Sequence, residues 1–189
     1  MIALIVFLFF PGAFDRFLSS SSLGDPSSAN VIDSDLAWSP DSRWIAFDRS
    51  DYGGSGENDP VGQSEVFVAR ADGRGLRQLT RTPGYEAVLG WLPNPLRVVY
   101  TSPTKDPIMV YAMTLKGKRT ALGEVRATDQ VVALSPDGKR LLVGAPLNAD
   151  HYVLIDLSSG TRRTLPGVIL DPDMNWPIGA WSPDGRQLA

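Results

Sequence analysis

The chain has 189 residues, 43% hydrophobic and 21% charged, enough for one domain with a genuine core. A formal net charge of −3 excludes the bulk basic signal of a nucleic-acid binder, and the lack of cysteine excludes disulfides, thiolate metal sites and a Cys nucleophile. Gly 18 and Pro 15 suit short strands joined by tight turns.

Taken in chain order, the first element is a continuous apolar run, Ile2–Phe10, followed by Pro11, Gly12, Ala13 and the polar stretch Ser19–Ser22. Its length matches a secretory signal and is short for a membrane span. No basic residue precedes it. Three readings stand: a signal peptide or short membrane anchor over residues 1–22, a longer membrane helix whose start is missing, or a buried apolar strand. Residues 23–34 read as a linker.

From residue 35 the sequence repeats. Ala37-Trp38-Ser39-Pro40-Asp41-Ser42-Arg43-Trp44-Ile45-Ala46-Phe47 opens the first unit. It aligns without gaps with segments starting at Gly90, Ala133 and Ala180, whose prolines Pro93, Pro136 and Pro183 follow Pro40 at intervals of 43 to 53 residues. Each segment predicts strand, turn, strand: Pro sets the first turn angle, Asp or Asn accepts local backbone bonds, and Gly takes positive φ. The second copy, Leu92-Pro93-Asn94-Pro95, departs most from this pattern. The flanking apolar positions Trp38, Trp91, Leu134 and Trp181, then Ile45, Val98, Leu141 and Leu188, recur at the repeat period and are expected to face neighbouring units. A second hairpin follows in each unit, from Val66–Ala69, Val110–Met113 and Tyr152–Ile155 through Gly-bearing turns. A unit of this size is a four-stranded propeller blade.

These residues carry a resemblance. The string Trp181-Ser182-Pro183-Asp184-Gly185, with Val66–Thr80 as its second half, resembles the PD40 repeat of TolB-like β-propellers, and similar repeats precede prolyl-oligopeptidase-type hydrolase domains. The Trp-Asp and Gly-His signatures of WD40 repeats are missing. The resemblance implies an all-β fold over residues 35–189, with blades at about 35–82, 88–122 and 131–165 and a truncated one from 178. About three and a half blades make an incomplete propeller.

Catalytic chemistry is not legible. The single histidine, His151, stands at the mouth of a strand, and Gly53-Gly54-Ser55-Gly56-Glu57 lacks the last glycine of a serine elbow. Asp171-Pro172-Asp173-Met174-Asn175 starts like a calcium loop but lacks its Gly and distal Glu, so neither metal nor cofactor is expected. Blade topology sorts the charges instead. Turns at one edge carry mostly bases, including Arg74, Lys118, Arg162 and Arg163. Connections at the other edge carry mostly acids, including Glu86 and Asp129. The second edge is the expected partner-binding face, with Asp51, Glu57, Asp59, Asp106, Asp150, His151, Asp171 and Asp173. The leading expectation is a non-enzymatic extracytoplasmic scaffold for a protein or peptide, by resemblance a cell-envelope protein, touching membrane only through its N-terminal segment and binding no nucleic acid. The alternatives are the accessory propeller of a serine hydrolase, or the sensor part of a receptor, whose other domain lies elsewhere.

Overall fold

A computed structural model describes residues 31–51, 63–102, 107–144, 151–169 and 179–188. Among them are twelve strands and no helix: β1 Val31–Trp38, β2 Trp44–Asp51, β3 Ser64–Arg70, β4 Arg77–Gln78, β5 Ala87–Leu92, β6 Arg97–Ser102, β7 Ile108–Thr114, β8 Arg119–Val125, β9 Gln130–Leu134, β10 Arg140–Gly144, β11 His151–Asp156 and β12 Arg162–Ile169. They form three four-stranded sheets, β1–β4, β5–β8 and β9–β12, each antiparallel and in chain order. These are three blades. The first strand starts at Val31, inside the stretch read as linker. A bridge between Trp181 and Leu188 marks the opening hairpin of a fourth.

The Ser-Pro-Asp turns show why this short string repeats. Ser39 Oγ donates to Asp41 Oδ1 at 2.6 Å and accepts the Trp44 amide at 2.9 Å, while Asp41 accepts the Arg43 amide at 3.2 Å. The same three bonds recur around Ser135 and Asp137, at 2.6, 2.9 and 3.1 Å, and around Ser182 and Asp184, at 2.6, 2.9 and 3.1 Å. One serine and one aspartate thereby satisfy the donors that a two-strand corner leaves open. The Ser39 hydroxyl, then the Arg43 amide, hold the Asp41 carboxyl below its usual range.

The second turn has leucine where the others have serine, and its Asn94–Pro95 peptide is cis. Leu92 loses the hydroxyl bonds but enters the core between blades 2 and 3, with Val110, Leu141, Val143 and Ile155. Opposite it lies the turn glycine of blade 3, Gly138, whose absent Cβ would stand 2.1 Å from Leu92 Cδ2. Blades 1 and 2 share a second core of Ala46, Val66, Val68, Val98 and Met113, closed by Trp91, whose indole N–H donates to the Ala37 carbonyl at 2.9 Å. Trp181 sits under Arg140 of blade 3, the guanidinium 4.7 Å from its ring centre.

The expected inward stripe therefore holds for Trp91, Val98 and Leu141, while Trp38 is 47% exposed. Trp38 pairs with Ile45 on the face of blade 1 turned away from blade 2. There Arg49, gripped by Asp33 at 2.6 Å, lies over Phe47 and Phe67. The guanidinium caps that face at the end where β2 finishes and leaves Trp38 open at the other end.

Candidate functional site

The inner strands β1, β5 and β9 pack in succession, and each carries a register shift against its partner, between Ser34 and Ala37, Val88 and Gly90, and opposite Leu142/Val143. Such bulges bend the strand and free side chains from the ladder. In front of them lies a cavity of about 290 Å³, walled by Val88, Leu89, Ile108, Val125, Val131 and Leu134 and edged by Asp35, Thr101 and Asp129. Most of these residues open β5, β7 and β9 or close β6 and β8, while Asp35 lies within β1 and Leu134 ends β9. The cavity thus lies mainly toward the edge carrying the long connections and extends along β9 as far as Leu134.

The carboxylates around it differ in state. Asp129 is bound in bidentate fashion by Arg162, at 2.6 and 2.8 Å. Asp35 is an exposed residue with left-handed backbone, φ 48°. Desolvation of its carboxyl, then the charge of Asp48 beside it, push it up to about 6. Asp48 is fully buried, accepting from Ser34 Oγ at 2.6 Å and lying 3.4 Å from both Ser64 Oγ and the Val88 amide.

Ser64 leads on to the link between blades 1 and 2. Its hydroxyl donates to the Glu86 carbonyl at 2.8 Å, and its backbone exchanges bonds with Gly84 and Glu86 at 3.1 Å. Glu86 is 0% exposed. Its carboxylate accepts from Ser102 Oγ at 3.1 Å, from Thr82 Oγ1 and, at 3.3 Å, from Thr80 Oγ1, which also stands 2.5 Å from Glu65. Burial first, then the Glu65 charge, push Glu86 up to about 7. A polar seam therefore runs from the cavity mouth at Asp35 through Asp48 and Ser64 to Glu86.

Of the residues singled out in the sequence, Asp51 ends β2 and His151 begins β11, at the sheet edge that carries the long connections, and neither lines the cavity. Glu57, Asp59, Asp106, Asp150, Asp171 and Asp173 lie outside the described residues. Arg74 and Lys118 stand in turns at the opposite edge, and Arg163 near the start of β12. Three assignments of charge need correction. Glu86 is buried and holds its proton up to about 7, so it is no surface acid at neutral pH. Asp129 and Arg162, assigned to opposite edges, neutralise each other, so neither adds to a two-sided field. Among the described residues no three His, Asp or Glu side chains are placed to hold a metal ion.

No family model and no curated protein matches the sequence. Solved structures do. The chain superimposes on TolB from Acinetobacter baumannii with a TM-score of 0.56 at 19% identity, over 82% of this chain and 36% of that one. A putative TolB from Agrobacterium tumefaciens gives 0.58 at 19% identity, over 88% and 58%. The fold is a TolB-like β-propeller. An oligogalacturonate lyase in complex with manganese shares this propeller fold, with a TM-score of 0.51 at 15% identity over 81% of this chain and 44% of that one. The propeller described here spans 36% and 58% of the lengths of the two TolB structures. Since a lyase and TolB proteins share the architecture, the function of this propeller has to be argued from its own site.

Proposed function

We propose that the chain is a non-enzymatic, extracytoplasmic propeller scaffold that binds a protein or peptide at the edge where its long connections open, with a cell-envelope protein as partner. The observation that carries this reading is the cavity of about 290 Å³ in front of the inner strands. It combines apolar walls with polar groups at the rim, the arrangement that anchors a side chain of a docked segment. The steering charge resides in the acidic connections at that edge, Glu86 and Asp129 excepted.

The test is selection of binding peptides from a displayed random library against the 189-residue chain. Val132 of β9 also lines the cavity, and enriched peptides should bind the Val132→Trp variant, which adds an indole there, at least tenfold more weakly, and Lys116→Glu, in a turn at the far edge, unchanged. Peptides indifferent to Val132→Trp would place binding elsewhere. The extracytoplasmic location has its own check. Residues 1–30, fused to a reporter active only outside the cytoplasm, should give activity, and a silent, stably produced fusion would remove the location from the proposal.

A further inference from the structure

The turns that join the first strand of each blade to the second, and the third to the fourth, lie along one edge of the propeller. Within blades 1 and 3 they are bonded in pairs, the Ala71 amide donating to the Arg43 carbonyl at 2.9 Å and the Leu157 amide to the Lys139 carbonyl at 2.8 Å. Between blades, Arg77 donates to the Leu115 carbonyl, and Arg140 to the Gly185 carbonyl at 3.0 Å. The edge is therefore continuous from blade 1 to the fourth hairpin. Arg43, Arg74, Arg77, Lys116, Lys118 and Lys139 are exposed on it, and none makes an ion pair among the described residues. Neighbouring blades pack on the faces of a sheet and not on its turns. The exposure therefore holds with a blade on either side, as blade 2 shows with Lys116 and Lys118. The acids of this edge, Asp41, Asp72, Asp137, Asp156 and Asp184, are fewer, and each is held against its own turn by a backbone amide. Lysine and arginine carry their charge on longer stems. Apolar tips stand among the bases: Pro40, Pro93, Pro136 and Pro183 are exposed, and Leu76, between Arg74 and Arg77, is 43% exposed.

We propose that this edge docks on an anionic lipid bilayer, a membrane contact separate from the N-terminal segment and from the peptide site above. Bases spread along one continuous edge match a plane of phosphodiester headgroups, and each lysine or arginine near that plane adds attraction. Leu76 and the prolines supply the apolar part, entering the headgroup layer while the flanking bases meet the phosphates. Such tips have a place in a headgroup layer and none along a phosphate backbone, which favours a bilayer over a nucleic acid. In this pose the cavity, lying mainly toward the other edge, stays open to its partner.

Vesicle flotation with the full chain tests this. Vesicles of equal parts phosphatidylglycerol and phosphatidylcholine should bind it more strongly than pure phosphatidylcholine, by about tenfold or more at low salt. The excess should shrink as salt rises through about 0.15 M, where the Debye length is about 8 Å. The apolar N-terminal run contributes alike to both vesicle types, so the excess reports charge. Lys116→Glu and Lys118→Glu together should lower it about tenfold or more. Arg81→Glu and Arg126→Glu together, the same change in net charge on exposed links at the other edge, should leave it largely intact. Circular dichroism verifies that the variants are folded. The chain has no cysteine, so an environment-sensitive dye can be placed at one position without reversing any charge. On Leu76→Cys it should shift to the blue with the phosphatidylglycerol vesicles, and on Thr128→Cys, between β8 and β9, it should not. Equal binding to both vesicle types, an excess that survives the Lys116 and Lys118 reversal, or a shift at position 128 without one at 76 would each overturn the proposal. Binding of single-stranded DNA with no preference for the anionic vesicles would also overturn it, and would assign the edge to a nucleic acid. The assay contains no peptide, so its failure is distinct from failure of the peptide site.

Discussion

Replacing Gly138 by alanine is expected to destabilise the propeller by about 2–5 kcal/mol. About 1–2 kcal/mol comes from the left-handed backbone, φ 69°, and about 1–3 kcal/mol from driving a methyl into a packed seam. The new Cβ would lie 2.1 Å from Leu92 Cδ2 and 3.1 Å from Leu92 Cγ, so Leu92 must shift within its packed seam to admit it. Two comparisons separate the causes. Gly160 has the same φ of 69° with nothing within 4 Å, so Gly160→Ala should cost only the backbone share. In a Leu92→Ala background, itself weakened by about 2–5 kcal/mol, Gly138→Ala should also fall to that share. Urea denaturation of the four-member cycle measures the coupling. Equal costs at positions 138 and 160 would show that the turn of blade 3 does not bear on Leu92.

Stability should also fall as pH rises through neutrality, and Glu86 should be the main cause. Folded, Glu86 keeps its proton to about 7; its ordinary value is 4.5. The folded state therefore binds more protons than the unfolded state between these values. The contribution is fully present below 4.5 and is lost as pH climbs through 7. At about 1.4 kcal/mol per pK unit the loss is on the order of 3 kcal/mol, and it belongs to Glu86 together with the adjacent Glu65. Asp35, raised to about 6 from 3.8, adds a smaller loss of the same sign over a lower range. Asp156 acts oppositely: the Ser158 hydroxyl, then Ser159, hold it down to about 2, so its stabilisation fades as pH falls from about 4 toward that value. Glu86→Gln keeps a neutral side chain at all pH. Urea midpoints from pH 4.5 to 8.5 should fall steeply for the wild type and gently for Glu86→Gln. Parallel slopes would place the titration elsewhere.

Much of the architecture is readable from the chain because the repeat couples spacing to turn chemistry. Ser135, Asp137 and Gly138 do the same local work as Ser182, Asp184 and Gly185, whatever surrounds them. The site is less readable because a propeller blade is covered on both faces. Alternation in β2 sets Asp48 opposite Phe47, which in a single-faced sheet would mean solvent. Here both are fully buried, Asp48 toward blade 2. Glu86 lies in a connection, where an acid ordinarily reads as solvated, but the link folds back on Ser64 and takes it inside. Leu92, in the turn that departs most from the repeat, is a packing residue. Arg162 and Asp129 are separated by 33 positions and by the whole of blade 3, and nothing local in the sequence announces their bond.

The central claim is that the edge at the starts of β5, β7 and β9 is the binding face. Hydrogen exchange of the chain with and without a selected peptide tests it most directly. Saturating peptide should slow exchange at residues 87–89, 108 and 125–132, around the cavity, and leave the Ser-Pro-Asp turns at residues 39–43 and 135–139 unchanged. Protection confined to those turns would contradict the account.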